Sequence, residues 1–364
     1  MIKIRALRPN EWPDLLTLLG NNDLGTGLLR NGQNPAIRWM DWGCQWLPPG
    51  YQPDLRVYIA IAHQRILGAI MLRQDGRTQR RWCIEHLILD SPEEETPPIN
   101  TSNSPISSYD VAGQLLQYII NRYGADGVQT FLAHVDHEHL EGQALLKASG
   151  FRPLCKRLTA LRESPETPDS QQEIQINVPS GDLKWLQHIR EAEDDDRDAL
   201  RELYRDSLPV ETRSALERSS RDFSRSAFRR IQLRLQGIFA KRWVLGGNVP
   251  NQLLGCIELS SPDFQEFHLN LFNCPGWDPI FAPMLQFAVE QTYKSTNQPR
   301  IVLQSYTLNE HQQQTLLSFG FVFTRTDAVW VKDYWVPIDR QSEQKRASLL
   351  LFASKTSPAC QLRP

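Results

Sequence analysis

Apolar positions fall into two kinds of run: short ones that alternate every second residue, and longer ones that recur at helical spacing. Ile2 to Leu7 alternates as a strand, and Asn10 to Leu19 places Leu15, Leu16, Leu18 and Leu19 about one helical face. Arg38 to Trp46 predicts a helix carrying Trp39, Trp42 and Trp46 on one side. Val57 to Ala62 and Ile66 to Leu72 flank the turn His63-Gln64-Arg65 as a hairpin, with a third strand from Trp82 to Asp90. Then follow a helix from Tyr109 to Tyr123, a strand from Val128 to Val135, a helix from Leu140 to Ala148, and strands around Phe151 and from Leu158 to Leu161.

The same order starts again near Trp185. A strand to Ala192 precedes a helix from Asp195 to Tyr204 and a long arginine-rich helix from about Thr212 to Gln236. Hairpin strands near Arg242 and Leu253, a strand from Phe267 to Phe272, a helix from Pro279 to Tyr293 and a strand from Ile301 to Ser305 come next. A helix from Asn309 to Phe319 and strands near Phe321 and from Val329 to Tyr334 complete the run. Individual residues repeat as well. Ala112, Leu115, Tyr123, Gln143, Leu146, Gly150 and Phe151 recur 170 positions later as Ala282, Leu285, Tyr293, Gln313, Leu316, Gly320 and Phe321, and Leu67-Gly68 returns as Leu254-Gly255. Two units of one fold are the expectation.

Composition sets the boundaries. Residues 1–162 form the first unit, interrupted at 91–108 by an acidic, proline- and serine-rich insertion; 163–182 is the linker, 183–338 the second unit, and 339–364 a tail without periodicity. At 364 residues the chain has the length of about two domains. A formal net charge of −2 provides no chain-wide basic field, so nucleic acid is not an expected partner. Six cysteines without a C-x-x-C pair suit reduced thiols, and no apolar run approaches the ~18 residues of a spanning helix. A cytoplasmic protein without a membrane partner is expected.

The element order, the Leu-Gly hairpins and the helices ending in Ser149-Gly150-Phe151 and Phe319-Gly320-Phe321 resemble the GNAT superfamily of acetyl-CoA-dependent N-acetyltransferases, here in tandem. The resemblance implies a mixed α/β (α+β) fold of two tandem domains, each a mostly antiparallel central sheet flanked by helices. It further implies acetyl-CoA as cosubstrate and a small-molecule or peptide amine as acceptor. In that family a loop of the form Gln/Arg-x-x-Gly-x-Gly/Ala wraps the pyrophosphate with backbone N–H groups at a helix start. Ser107, Ser108, Tyr109, Asp110, Val111 and Ala112 occupy those positions here; Ala112 alone conforms, unless a one-residue slip gives Gly113 the role. In the second unit the loop runs from Trp277 to Ala282 and is followed by Pro283, so Pro279 and Pro283 remove two donors. The cofactor is therefore expected in the first unit, with the second a structural copy. Leu87, Ile88 and Leu89 would run beside the pantetheine, and His139 stands where relatives carry an Asn that approaches the cofactor. The tyrosine that many members use to protonate the leaving thiolate falls on Leu146 and Leu316.

Glu85 and His86 are the candidate general bases. Strand alternation puts one on each face, and the competing interpretation is a salt-bridged or edge-exposed pair. His86-Leu87-Ile88-Leu89 parallels His268-Leu269-Asn270-Leu271, which suggests a histidine at one place in both units. His134, Asp136, His137, Glu138 and His139 have the side chains of a metal site, but their position where a strand meets a helix favours a solvated helix start, and no metal is expected. Trp39, Trp42 and Trp46 either line the acceptor pocket or pack in the core. Arg218, Arg221, Arg225 and Arg229 form either a solvated charged face or a surface for an anionic partner. The rival to acetyl transfer is an inactive tandem scaffold that binds a ligand or a protein.

Overall fold

In a computed structural model, residues 2–21, 29–30, 55–63, 65–76, 80–90, 107–163, 187–224, 239–247, 252–306 and 308–334 are described. The expected tryptophan helix, the insertion up to residue 106, the linker from residue 164 and the tail lie outside them.

The first half consists of β1 (Lys3–Ala6), α1 (Trp12–Asn21), β2 (Leu29–Arg30), β3 (Leu55–Ala62), β4 (Arg65–Gln74), β5 (Arg81–Leu89), α2 (Ser108–Ala125), β6 (Thr130–Asp136), α3 (Leu140–Ala148) and β7 (Arg152–Arg162). The second half follows with β8 (Ile189–Glu191), α4 (Arg197–Ser207), α5 (Val210–Leu216), α6 (Ser220–Phe223), β9 (Phe239–Gly246), β10 (Leu253–Ser261), β11 (Glu266–Asn273), α7 (Phe281–Tyr293), β12 (Arg300–Ser305), α8 (Glu310–Ser318) and β13 (Val322–Asp333). Most boundaries fall within a residue or two of the periodicity.

Two expectations need correction. The strand pairs expected at the end of each half are single long strands, β7 and β13. The arginine-rich segment is not one helix across its described part, because the chain extends at Glu217 between α5 and α6. Its Arg218 is turned inward, 3.0 Å from Glu258 and over the Tyr204 ring, instead of joining a solvated face. Helical spacing of arginines cannot reveal a partner on a distant strand.

The strands form one sheet of thirteen in the order β1-β3-β4-β5-β6-β13-β7-β12-β11-β10-β9-β8, with β2 on β5. The halves exchange their last strands: β13 pairs with β6 of the first half, and β7 pairs with β12 of the second. At the centre β7 and β13 run antiparallel, with Arg157 opposite Asp327, residues separated by the repeat interval of 170. The register slips on either side at Leu154 and Thr324, residues related by the same interval. The molecule thus has a pseudo-twofold axis through the Arg157–Asp327 pair.

Each face of the sheet has its own core. Val111, Ala112, Leu115, Leu116, Ile119 and Ile120 of α2 cover Ile70, Leu72, Ile84 and Phe131, and α7 covers the second half in the same way with Phe281, Met284, Leu285 and Ala288. The Leu-Gly signature has a physical cause there. Leu67 is the extra residue of a bulge between β3 and β4, and a Cβ on Gly68 would stand 2.9 Å from Leu89 Cδ2 and 3.0 Å from the Ile88 carbonyl oxygen. Helix α2 begins with Ser107 Oγ accepting from Tyr109 N at 3.2 Å, and α3 ends with Gly150 at φ +80°, a conformation that glycine adopts cheaply.

Gly68→Ala is expected to cost about 1–3 kcal/mol through overpacking. Gly113→Ala, in α2 with open space around it, should gain about 0.4–1 kcal/mol from reduced chain entropy. Urea midpoints of the two variants, shifted in opposite directions from wild type, check both.

Candidate functional site

In each half one parallel pair interrupts the antiparallel sheet, and it holds for four residues only: Arg81–Ile84 beside Thr130–Ala133, and Glu266–Leu269 beside Arg300–Leu303. Beyond Ile84 and Ala133, and beyond Leu269 and Leu303, the strands fork. A parallel fork exposes backbone N–H and C=O groups to whatever enters it; in the first half β2 does so, with Leu29 opposite Leu87 and Arg30 opposite His86, whereas no described strand fills the second fork.

Glu85 and His86 are the first residues of β5 past the fork. Trp82, Ile84, Leu87 and Leu89 pack in the core under α2, while Cys83 and Ile88 belong to cores on the other face. The parity therefore changes between Ile84 and Leu87. A bulge at this point causes the change, since Met71 pairs with His86 and Leu72 with Ile84. Glu85 and His86 consequently share the face away from α2, where simple alternation would have put one on each side. Both are buried, and Glu85 accepts from Arg73 Nε at 2.7 Å. The parallel register also corrects the histidine correspondence: Cys83 sits opposite Leu132 and His268 opposite Val302, so Cys83 and His268 are equivalent. His268 pairs with Glu266 at 3.4 Å.

The expected pyrophosphate loop is the N-terminus of α2. The Tyr109 amide is capped by Ser107 Oγ, and those of Asp110 and Val111 bond to the Ser107 carbonyl at 3.0 and 3.1 Å. The amides of Ser107 and Ser108 have no partner among the described residues. Asp110 is exposed; Val111 and Ala112 point into the core, as do Leu87 and Leu89 on the strand, so any contact from these four is through backbone. His139 caps α3, its Nδ1 accepting from Gly142 N at 2.9 Å.

The second fork is built differently. Asn309 Nδ2 donates to Asp278 Oδ1 at 2.9 Å, and Gln312 Nε2 donates to Asn273 Oδ1 at 3.2 Å and to Asp278 Oδ1 at 3.3 Å. These side chains line a cavity of about 230 Å³ between the ends of β11 and β12. One repeat interval earlier, Asp278, Asn309 and Gln312 become Ser108, His139 and Gly142, so the first fork lacks both the carboxylate and the amide that bridge the second.

His134, Asp136, His137, Glu138 and His139 do not converge, and no group of three or more metal-binding side chains gathers among the described residues. Asp136 Oδ1 accepts from Glu138 N at 3.0 Å, and the His137 amide bonds to Thr326 O. His134 is buried in the sheet with Cys83 Sγ 3.4 Å from its Nδ1 and its Nε2 unpartnered. Burial first, then Arg157 and Arg325, hold its pKa well below the usual 6.5. Burial, with Glu85 and Asp75, pushes the Cys83 thiol far up, so this pair holds no ready thiolate nucleophile.

No protein-family model matches the chain, and no curated protein matches it. Among solved structures, a tandem GNAT protein from the clavulanic acid biosynthesis pathway superposes with a TM-score of 0.56 at 11% identity, covering 93% of this chain and 100% of its own. A GCN5-related N-acetyltransferase from Sphaerobacter thermophilus gives 0.57 at 11% identity, covering 93% and 97%. The chain has a tandem GNAT fold. Trp39, Trp42 and Trp46 lie outside the described residues, and no described helix is long and apolar enough to cross a membrane. Sequence reading missed the Asp278–Gln312–Asn273–Asn309 network, although Asp278 in place of a phosphate-loop residue was its visible signal.

The depressed pKa of His134 has a consequence for stability. Unfolded, the imidazole takes a proton near 6.5, whereas folded it stays neutral, so its contribution is fully present above about 6.5 and is lost as pH falls below that. Between pH 7.5 and 5.5 the unfolding free energy should fall by up to about 1.4 kcal/mol per pH unit from this one group. His134→Gln should flatten that stretch of the profile.

Proposed function

We propose that the first GNAT unit binds acetyl-CoA and transfers its acetyl group to an amine, while the second unit is structural. One observation carries the choice of half: Ser108 and Gly142 stand where Asp278 and Gln312 bridge the second fork. Pyrophosphate placed in the second fork would meet the Asp278 carboxylate and the prolines at 279 and 283, and the cavity of about 230 Å³ is below the ~300–1,000 Å³ usual for drug-sized ligands.

The first unit fits the cosubstrate in a reduced way. The open Ser107 and Ser108 amides and the Ser108 hydroxyl at the start of an eighteen-residue helix would hold the pyrophosphate, and pantetheine would take the β5 edge from Leu87 to Leu89 by displacing Leu29 and Arg30 of β2, which pair there. Acetyl-CoA supplies the acyl group as a thioester. The protein must then deprotonate and orient the amine. His86 is the proton acceptor in this scheme, and Glu85, fixed by Arg73, is a positioning residue that holds the bulge.

The scaffold alternative draws on a specific observation. Leu146 and Leu316, at the positions of the family's proton-donating tyrosine, are fully buried core residues.

Calorimetric titration with acetyl-CoA tests the proposal. Asp110→Asn removes a carboxylate from the helix start and should tighten binding about fivefold, corresponding to about 1 kcal/mol. His86→Gln should keep affinity and lower turnover about 100-fold or more. An Asp278→Asn variant should bind as wild type does. Absence of binding by wild type would leave the scaffold function.

A further inference from the structure

The two halves enclose a second feature, a cleft of about 930 Å³ remote from both forks. One wall is the end of β4 with the starts of β5 and β6, at Arg80, Arg81 and Thr130. The other is the α4–α6 region of the second half, at Arg201 and from Ser214 to Asp222. Neither half has it alone.

Its five arginines are not equivalent. Arg81 is spent on structure, with Nε 2.7 Å from Asp75 and Nη1 donating to the carbonyls of Ala215 and Glu217 at 3.1 and 2.7 Å, which fastens the walls together. Arg218 is committed to Glu258 at 3.0 Å and to the Tyr204 ring, and Arg201 has Glu217 at 3.3 Å. Arg80 and Arg221 are exposed, one from each half, and neither guanidinium has a hydrogen bond or ion pair among the described residues. The hydroxyls of Ser214 and Ser220, also on the lining, are likewise without partners. Against these five cations the lining carries three carboxylates, Asp75, Glu217 and Asp222. Asp75 and Glu217 are engaged by Arg81 and Arg201, and Asp222 accepts from the Ser219 amide and hydroxyl at 2.8 and 3.0 Å.

We propose that this inter-unit cleft binds a small anion carrying two or more phosphate groups, with Arg80 and Arg221 as the charged ligands contributed by the two halves. Each guanidinium offers a planar fork that matches phosphate oxygens, and the serine hydroxyls supply the donors that a phosphate with several acceptor oxygens can use. The site is separate from acetyl transfer and does not depend on it.

Inorganic pyrophosphate titrated calorimetrically into the full chain at low salt is the direct test. Binding is expected, weakened about tenfold or more by Arg80→Ala/Arg221→Ala, with the urea midpoint unchanged because neither side chain holds a structural partner. Ser220→Asp, which adds a carboxylate at the same wall, should weaken it as well. Asp110→Asn, at the first fork, should leave pyrophosphate affinity at this cleft unchanged while altering that for acetyl-CoA. Unchanged affinity in the double variant, citrate binding as tightly as pyrophosphate, or no heat with wild type would each overturn the proposal.

Discussion

The buried Arg157–Asp327 pair is the constraint on which the architecture depends. Arg157 donates to Asp327 Oδ2 through Nε at 3.2 Å and Nη2 at 2.7 Å, with side-chain exposures of 5% and 1%. Arg325 donates to the other carboxylate oxygen. Burial opposes charge on Arg157, but Tyr306 and Asp327 hold it protonated. Losing one partner of such a pair costs about 3–5 kcal/mol, because the other charge is left buried and uncompensated. The pair lies on the pseudo-twofold axis, where a symmetric dimer of identical chains would set each residue against its own copy. Only a chain whose halves have different sequences can place opposite charges there.

Strand exchange about that axis governs both sites. With β13 occupying the far side of β6, and β7 that of β12, the parallel strands are held from behind while their free ends diverge, and each fork is braced by the opposite half. The same join brings α4 to α6 against the start of β5, where Arg81 ties the two walls of the arginine cleft. Two different halves can then serve two different ends. The first keeps Ser108 and Gly142 at its fork and seats β2 in it, and the second bridges its own with Asp278 and Gln312 beside a cavity.

Much of this was legible in the sequence, for reasons that can be named. Gly150 and Gly320 end their helices at positive φ, and Gly68 and Gly255 leave room for Leu89 of β5 and Met284 of α7 respectively; such demands recur in both halves and mark the repeat. What stayed hidden depends on pairing between distant segments. Nothing in the alternation of Arg152 to Arg162 tells that β7 belongs beside β12, nor that Arg218, spaced like a surface arginine, meets Glu258 of β10. The bulge that puts Glu85 and His86 on one face is equally invisible, since it is defined by the partner strand and not by β5 itself.

Hydrogen exchange of Asp327→Asn against wild type tests the central claim most directly. If the exchanged strands make the halves one cooperative unit around this pair, amide protection should fall together in β6, residues Thr130–Asp136, and in β12, residues Arg300–Ser305, by an amount equivalent to about 3–5 kcal/mol. Loss of protection confined to one half, or none in either, would contradict it.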